Sequence, residues 1–159
     1  MLPVKEQTSL STDSLLSLKV AVNDNLDRAI KEKLPTSKII DTKTSVSALN
    51  QSGQLNLLDN LFKIYDSTGV VDKKTIDSLC SLLHSEYIVF SRLKAEKMAV
   101  AIVGKGFGAS LEVVIVGNAN REVVWGSSSE FKRGGVLGAG TTQNKAAAEE
   151  LVRLAFLKF

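Results

Sequence analysis

The sequence predicts an α/β domain: a mixed sheet with an antiparallel meander, packed against helices. Two observations carry most of this. Up to His84 the apolar residues recur mainly at three- and four-residue steps, the period of helices with one buried face. From Glu86 the pattern turns to β-branched and aromatic runs, the signature of strands. The closing segment "NKAAAEELVRLAFLKF" returns to a helical pattern. A helical first half, a meander and a closing helix make a layered α/β sandwich, because each amphipathic face must be covered by another element.

The elements follow in order. "LPVKEQT" starts apolar and passes into a polar loop, which reads as the end of a first strand whose beginning is missing. Leu15, Leu18, Val22, Leu26, Ile30 and Leu34 form one stripe, so a helix is expected over 14–34. Thr12 or Asp13 can cap it, Lys31 and Lys33 suit the negative end of its dipole, and Pro35 stops it. "SKIID" (37–41) reads as a short buried strand, and "SVSALNQ" as a helical turn broken by Gly53. Leu55, Leu58, Phe62 and Tyr65 make a second amphipathic face, ended by "DSTG". Asp72 is a natural cap for a third helix, "KKTIDSLCSLLHS".

"EYIVFSRLKAEKMAVAIVG" opens the meander. "GASLEVVIVG" alternates, with Leu111, Val113 and Ile115 on one face and Glu112, Val114 and Val116 on the other. "NANR" is a tight turn, where Asn tolerates left-handed backbone angles, and "EVVWGSSSEF" is the return strand. Thr141 or Thr142 can cap the last helix, with Ala147, Leu151, Leu154 and Lys158 on one face. The predicted order is β–α–β–α–α–β–β–β–α, a single domain over 1–159.

Composition narrows the function. A hydrophobic fraction of 44% is enough for a core, and a net charge of +3 is too weak to indicate nucleic acid. With one cysteine no intrachain disulfide forms, and one cysteine with one histidine make no soft-ligand metal site. Cys80 and His84 lie one helical turn apart, the spacing a thiol–imidazole pair needs. Cys80 also falls on the stripe Ile76, Leu79, Leu83, which favours a buried small hydrophobe.

Two glycine-rich stretches invite a phosphate-binding reading. "GKGFG" (104–108) is followed by a strand, whereas a phosphate loop must enter a helix so that its N–H groups meet the anion. "GGVLGAGTTQ" does precede a helix, with Thr141, Thr142 and Lys145 as possible helpers, but its spacing matches no nucleotide fingerprint. Val136 and Leu137 are apolar in this small-residue loop, which fits contact with a partner or membrane. Trp125 is either a packing residue of the sheet or an interfacial anchor. Lys132 and Arg133, beside the loop, suit acidic lipid headgroups. The paired carboxylates Glu149–Glu150 and Asp24–Asp27 read as solvated helix surface, and no catalytic residues, cofactor or metal are expected.

Several pieces together resemble one group of proteins. "LPVKEQT", then a loop and a long helix, resembles the start of small envelope lipoproteins. "LCSLLHSEYIVFSRL" is similar to their helix-then-strand unit, with Ser85 and Glu86 at Gly/Asp-like positions and Ser91 in place of a glycine. "LEVVIVGNANREVVWGSSSEF" resembles their hairpin "L-x-V-x-I-V-D-x-x-x-G-x-V-V-W-x-G-x-x", in which Trp125 matches the tryptophan. The group includes the curli-secretion lipoprotein, the Pel-polysaccharide export lipoprotein, penicillin-binding-protein activator lipoproteins and the amino-terminal domain of TolB. The resemblance implies a TolB amino-terminal-domain-like sandwich and a non-enzymatic assembly or export accessory. It implies the periplasm, with outer-membrane anchoring by a lipidated cysteine ahead of this chain. The implied partners are a homo-oligomer or an envelope protein, with possible outer-membrane contact and no nucleic acid. Trp125, Lys132, Arg133, Val136 and Leu137 would form the membrane or subunit contact. The alternatives are a regulator of a peptidoglycan synthase and a nucleotide or anion binder.

Overall fold

A computed structural model describes residues 1–8, 12–98, 106–134, 141–157 and 159. The elements run β1 (Lys5–Thr8), α1 (Thr12–Lys33), α2 (Thr42–Gln51), α3 (Asn56–Thr68), α4 (Lys73–Leu83), β2 (Tyr87–Met98), β3 (Gly106–Gly117), β4 (Glu122–Gly134) and α5 (Thr141–Ala155). The four strands form one sheet in the order β1-β2-β3-β4. β1 lies parallel to β2, from Lys5 opposite Arg92 to Thr8 opposite Ala95. The expected mixed α/β sheet packed against helices is therefore the observed architecture.

The chain divides into two compact units. The first comprises Met1–Pro3, Lys38–Phe90 and Val114–Gly126. Its core gathers Leu49 of α2, Leu61 and Phe62 of α3, and Ile76, Leu79, Cys80 and Leu83 of α4 around Ile88, Phe90, Val114 and Val116. Phe90 is enclosed edge-on by the rings of Phe62 and Tyr65, with centroids 5.9 and 5.0 Å away, the arrangement that aromatic quadrupoles prefer. Two of its helices begin on an aspartate, Asp72 as the sequence predicts and Asp41 where a strand is expected. Asp41 accepts from the Thr44 N–H at 2.7 Å and Asp72 from the Thr75 N–H at 2.8 Å, each satisfying an amide that the first helical turn leaves open. Gly69 ends α3 with φ 69. His84 ends α4 with φ 47, a left-handed cap on a residue with a side chain.

The second unit comprises Val4–Ser37, Ser91–Val113 and Ser127–Phe159. Here α1 and α5 pack together. Leu18, Val22, Leu26 and Ile30 of α1 are buried, as the stripe predicts. Leu93, Ala95, Phe107, Ala109, Leu111 and Val113 supply the strand side of this core. Ser129 is buried and donates to the Leu151 carbonyl at 2.7 Å, tying β4 to α5. Arg92 and Glu112 form a half-buried cross-strand pair, Nε to Oε2 2.6 Å. The two cores draw on alternate positions of the same strands. The first takes the even positions 88, 90, 114 and 116. The second takes the odd positions 93, 95, 107, 109, 111 and 113.

Four local expectations are corrected. "SKIID" is not a strand: residues 38–41 have no regular structure, and Asp41 is committed to capping α2. "SVSALNQ" is no single turn but most of a ten-residue helix. In the "NANR" turn the left-handed residue is Arg121, with φ 54, rather than an asparagine. On α5 the buried rows are Ala147, Ala148, Leu151, Val152, Ala155 and Phe156, whereas Leu154 is only half-buried. The expected caps of α1 (Thr12 or Asp13) and α5 (Thr141 or Thr142), and Lys158, lie outside the described side chains.

Candidate functional site

The candidate contact residues fall out as follows. Trp125 sits on β4, half-buried, in the first unit. Lys132 is on the same strand in the second unit, exposed, and forms an exposed ion pair with Glu130 at 3.0 Å. Its partner and its exposure make that pair worth little to stability. The Arg133 side chain and all of Val136 and Leu137 lie outside the described residues.

Sequence reasoning did not single out three exposed apolar residues of the first unit. Val123 and Val124 are 46% and 52% exposed, and Tyr87 is 57% exposed. Gly117 lies between Val124 and Tyr87: a Cβ added there would meet Val124 Cγ1 at 3.1 Å and the Tyr87 ring at 3.7 Å. Tyr87, Gly117 and Val124 thus share one face of the β2–β3–β4 end of the sheet and form an open apolar shelf. Glycine permits it by letting the Val124 side chain lean on the backbone of β3. The signal was present in the doublet Val123–Val124. Adjacent strand residues point to opposite sides, so a doublet on an edge strand cannot bury both in one core. Arg121 holds the hairpin to α4 through Asp77 Oδ1 at 2.5 Å. The Asn118 N–H donates to the Glu86 carbonyl at 2.8 Å, tying the turn to the start of β2. The shelf therefore stands on an anchored hairpin.

The remaining candidates have structural roles in the described residues. Cys80 is buried, and burial pushes its thiol up from the ordinary value of 9.0. The charge of Asp77 adds to this. A nucleophilic thiol needs the reverse shift. His84, expected as a possible base, is exposed. Of "GKGFG", residues 106–108 begin β3, with Phe107 buried and its ring tilted against Phe131 at 6.5 Å. Gly104 and Lys105 lie outside the described residues, as does most of "GGVLGAG". Glu150 is held by both guanidinium arms of Arg153 at 2.7 and 2.8 Å, which lowers its carboxyl pKa. Asp24 and Asp27 line a shallow, mixed-charge depression along α1 with Arg28, Lys31 and Glu32. Among the described residues no helix is long and apolar enough to cross a membrane.

No protein-family model and no curated protein matches the chain. Among solved structures it is similar to the LpoB C-terminal domain from Salmonella enterica. That match has 12% identity and a TM-score of 0.50, over 82% of this chain and 78% of that one. The chain shares its fold with that domain. Lipoprotein GNA1162 from Neisseria meningitidis matches at 8% identity and a TM-score of 0.49, over 96% of this chain and 92% of that one. The PelC dodecamer from Paraburkholderia phytofirmans matches at 11% identity and a TM-score of 0.38, over 95% of this chain and 82% of that one. At these identities the likeness to the LpoB domain is one of fold, and the two lower scores are weaker still.

Proposed function

We propose that this chain is a non-enzymatic accessory domain of the cell envelope that works by surface contact with a protein. The observation that carries the reading is the exposed apolar shelf of Tyr87, Gly117 and Val124 on an anchored hairpin. Exposed apolar surface of this kind is where partners bind, and the fold shared with the LpoB C-terminal domain supports an envelope setting. The finer reading is an assembly or export accessory at the outer membrane, as the hairpin resemblance suggests. In it the domain is periplasmic and is held at the outer membrane by a lipidated cysteine outside this chain. Trp125, Lys132, Arg133, Val136 and Leu137 join the contact surface in that reading. A second reading, a regulator that binds and activates a peptidoglycan synthase, is favoured by the LpoB-like fold.

The test is a photo-crosslinking residue at position 87 or 124 in cells, with fractionation of the envelope. The expected result is a defined envelope partner crosslinked at these positions and lost on Tyr87→Lys. An export accessory gives a multi-subunit assembly, a synthase regulator a one-to-one complex, and mass photometry separates them. A chain found only in the cytosol, with no crosslink, ends both readings. A nucleotide or anion binder instead gains melting temperature with its ligand. We expect a nucleotide screen to leave the melting temperature unchanged.

A further inference from the structure

β4 is an edge strand. In the order β1-β2-β3-β4 it has one neighbour among the described strands, and it runs thirteen residues. Edge strands are where a further strand can add, and proteins usually blunt them with charge, proline or a covering element. The stretch within the first unit, 122–126, carries one charge, Glu122, and no proline. Instead it shows Val123 and Val124 to solvent and Trp125 half-exposed.

We propose that this edge pairs with the same edge of a second copy, antiparallel, about a two-fold axis at Val124. The strand's own order of residues selects that partner and that register. In a two-fold antiparallel pair, a centre at residue c sets residue i opposite 2c − i, and opposed side chains share a face. With the centre at Val124, Val124 meets Val124 of the second copy. Val123 meets Trp125, and Trp125 meets Val123. Glu122 meets Gly126, so no charges oppose. With the centre at Val123, Val124 meets Glu122 and Trp125 meets Arg121. With the centre at Trp125, both valines lose apolar partners to Gly126 and Ser127. With the centre at Gly126, Glu122 meets Glu130, a like-charge pair that opposes pairing. Among these registers, only the one about Val124 sets every apolar side chain opposite another.

The shelf then becomes continuous across the axis. Val124 already leans on Gly117 beside Tyr87, so the row Tyr87, Gly117, Val124 meets its symmetry copy and six strands share one apolar strip. Such an isologous contact closes on itself and leaves no second edge of the same kind to propagate. Pairing over five residues buries less than the roughly 1,200 Å² of a standard interface, so the dimer is a weak one. The inference stands on the edge strand alone and does not depend on the envelope reading.

The test combines sedimentation over a wide concentration range with a short bis-thiol crosslinker. Cys80 is buried and serves as an unreactive background. Val124→Cys is expected to crosslink into a dimer, and Val70→Cys, on a still more exposed residue between α3 and α4, is not. Val124→Lys, checked for folding by circular dichroism, is expected to raise the dimer dissociation constant about tenfold or more. A chain monomeric throughout, with Val124→Cys crosslinking no better than Val70→Cys, overturns the proposal. A dimer that survives Val124→Lys overturns it as well.

Discussion

His84 closes α4 with φ 47. That conformation costs a residue with a Cβ about 1–2 kcal/mol, which glycine escapes. We therefore expect His84→Gly to stabilise the protein by about 1 kcal/mol and raise its melting temperature by about 2–4 °C, read by thermal circular dichroism. Arg121 has the same backbone problem, with φ 54, but also holds Asp77. Arg121→Gly relieves the strain and loses the ion pair, so its net effect is expected near zero. Cys80 gives a pH dependence. Its thiol pKa is raised above the ordinary 9.0, mainly by burial. The folded state keeps the proton to higher pH than the unfolded chain does. That contribution is whole below the unfolded value and shrinks as pH rises through the folded one. Denaturant midpoints should fall more for the wild type than for Cys80→Ala as pH is raised past the ordinary thiol value.

Among the helices, the Asp72 cap was the most legible feature. Asp72 and Thr75 stand three apart in "DKKT", and the structure uses them as a cap, with the Thr75 hydroxyl also donating to Asp72 at 2.7 Å. That hydroxyl, then the Thr75 N–H, holds the Asp72 carboxyl below the ordinary 3.8. The sign is opposite to that of Cys80: stability is present above the unfolded value and is lost as pH falls through the folded one. Asp72→Ala should cost about 1 kcal/mol. Asp72→Asn should keep most of the cap and lose its acid dependence, both measured by urea unfolding near neutral pH and in acid. What was not legible was local and contextual. "SKIID" has strand composition, yet a strand needs a neighbour to pair with, and Asp41 was taken by α2. The buried face of α5 spans two adjacent rows. How wide a stripe a helix buries depends on what packs against it.

For the whole molecule, the two cores set the scale of stability. Phe90 is 1% exposed and bracketed by two aromatic rings. Phe90→Ala should cost about 3–5 kcal/mol, read from denaturant midpoints. In the second unit the fully buried Leu151 should cost about 2–5 kcal/mol on truncation to alanine. The class of fold, the long first helix, the meander and the closing helix were readable from periodicity, because that signal is local to each segment. The candidate site was readable only in part. Trp125 was found from its residue type, whereas Tyr87, Gly117 and Val124 were not. Their shared face joins positions 87, 117 and 124, and no local pattern links residues so far apart in the chain.

The sequence alone therefore determined the types of the long helices and of the meander strands, the Asp72 cap and the burial of Cys80, since each follows from a few neighbouring residues. Only the tertiary structure decided which strand faces are covered. It placed β4 at the sheet edge and left Val124 and Tyr87 in the open. Exposure belongs to the packed molecule, because a valine reads the same in either face of a strand until something is, or is not, laid over it.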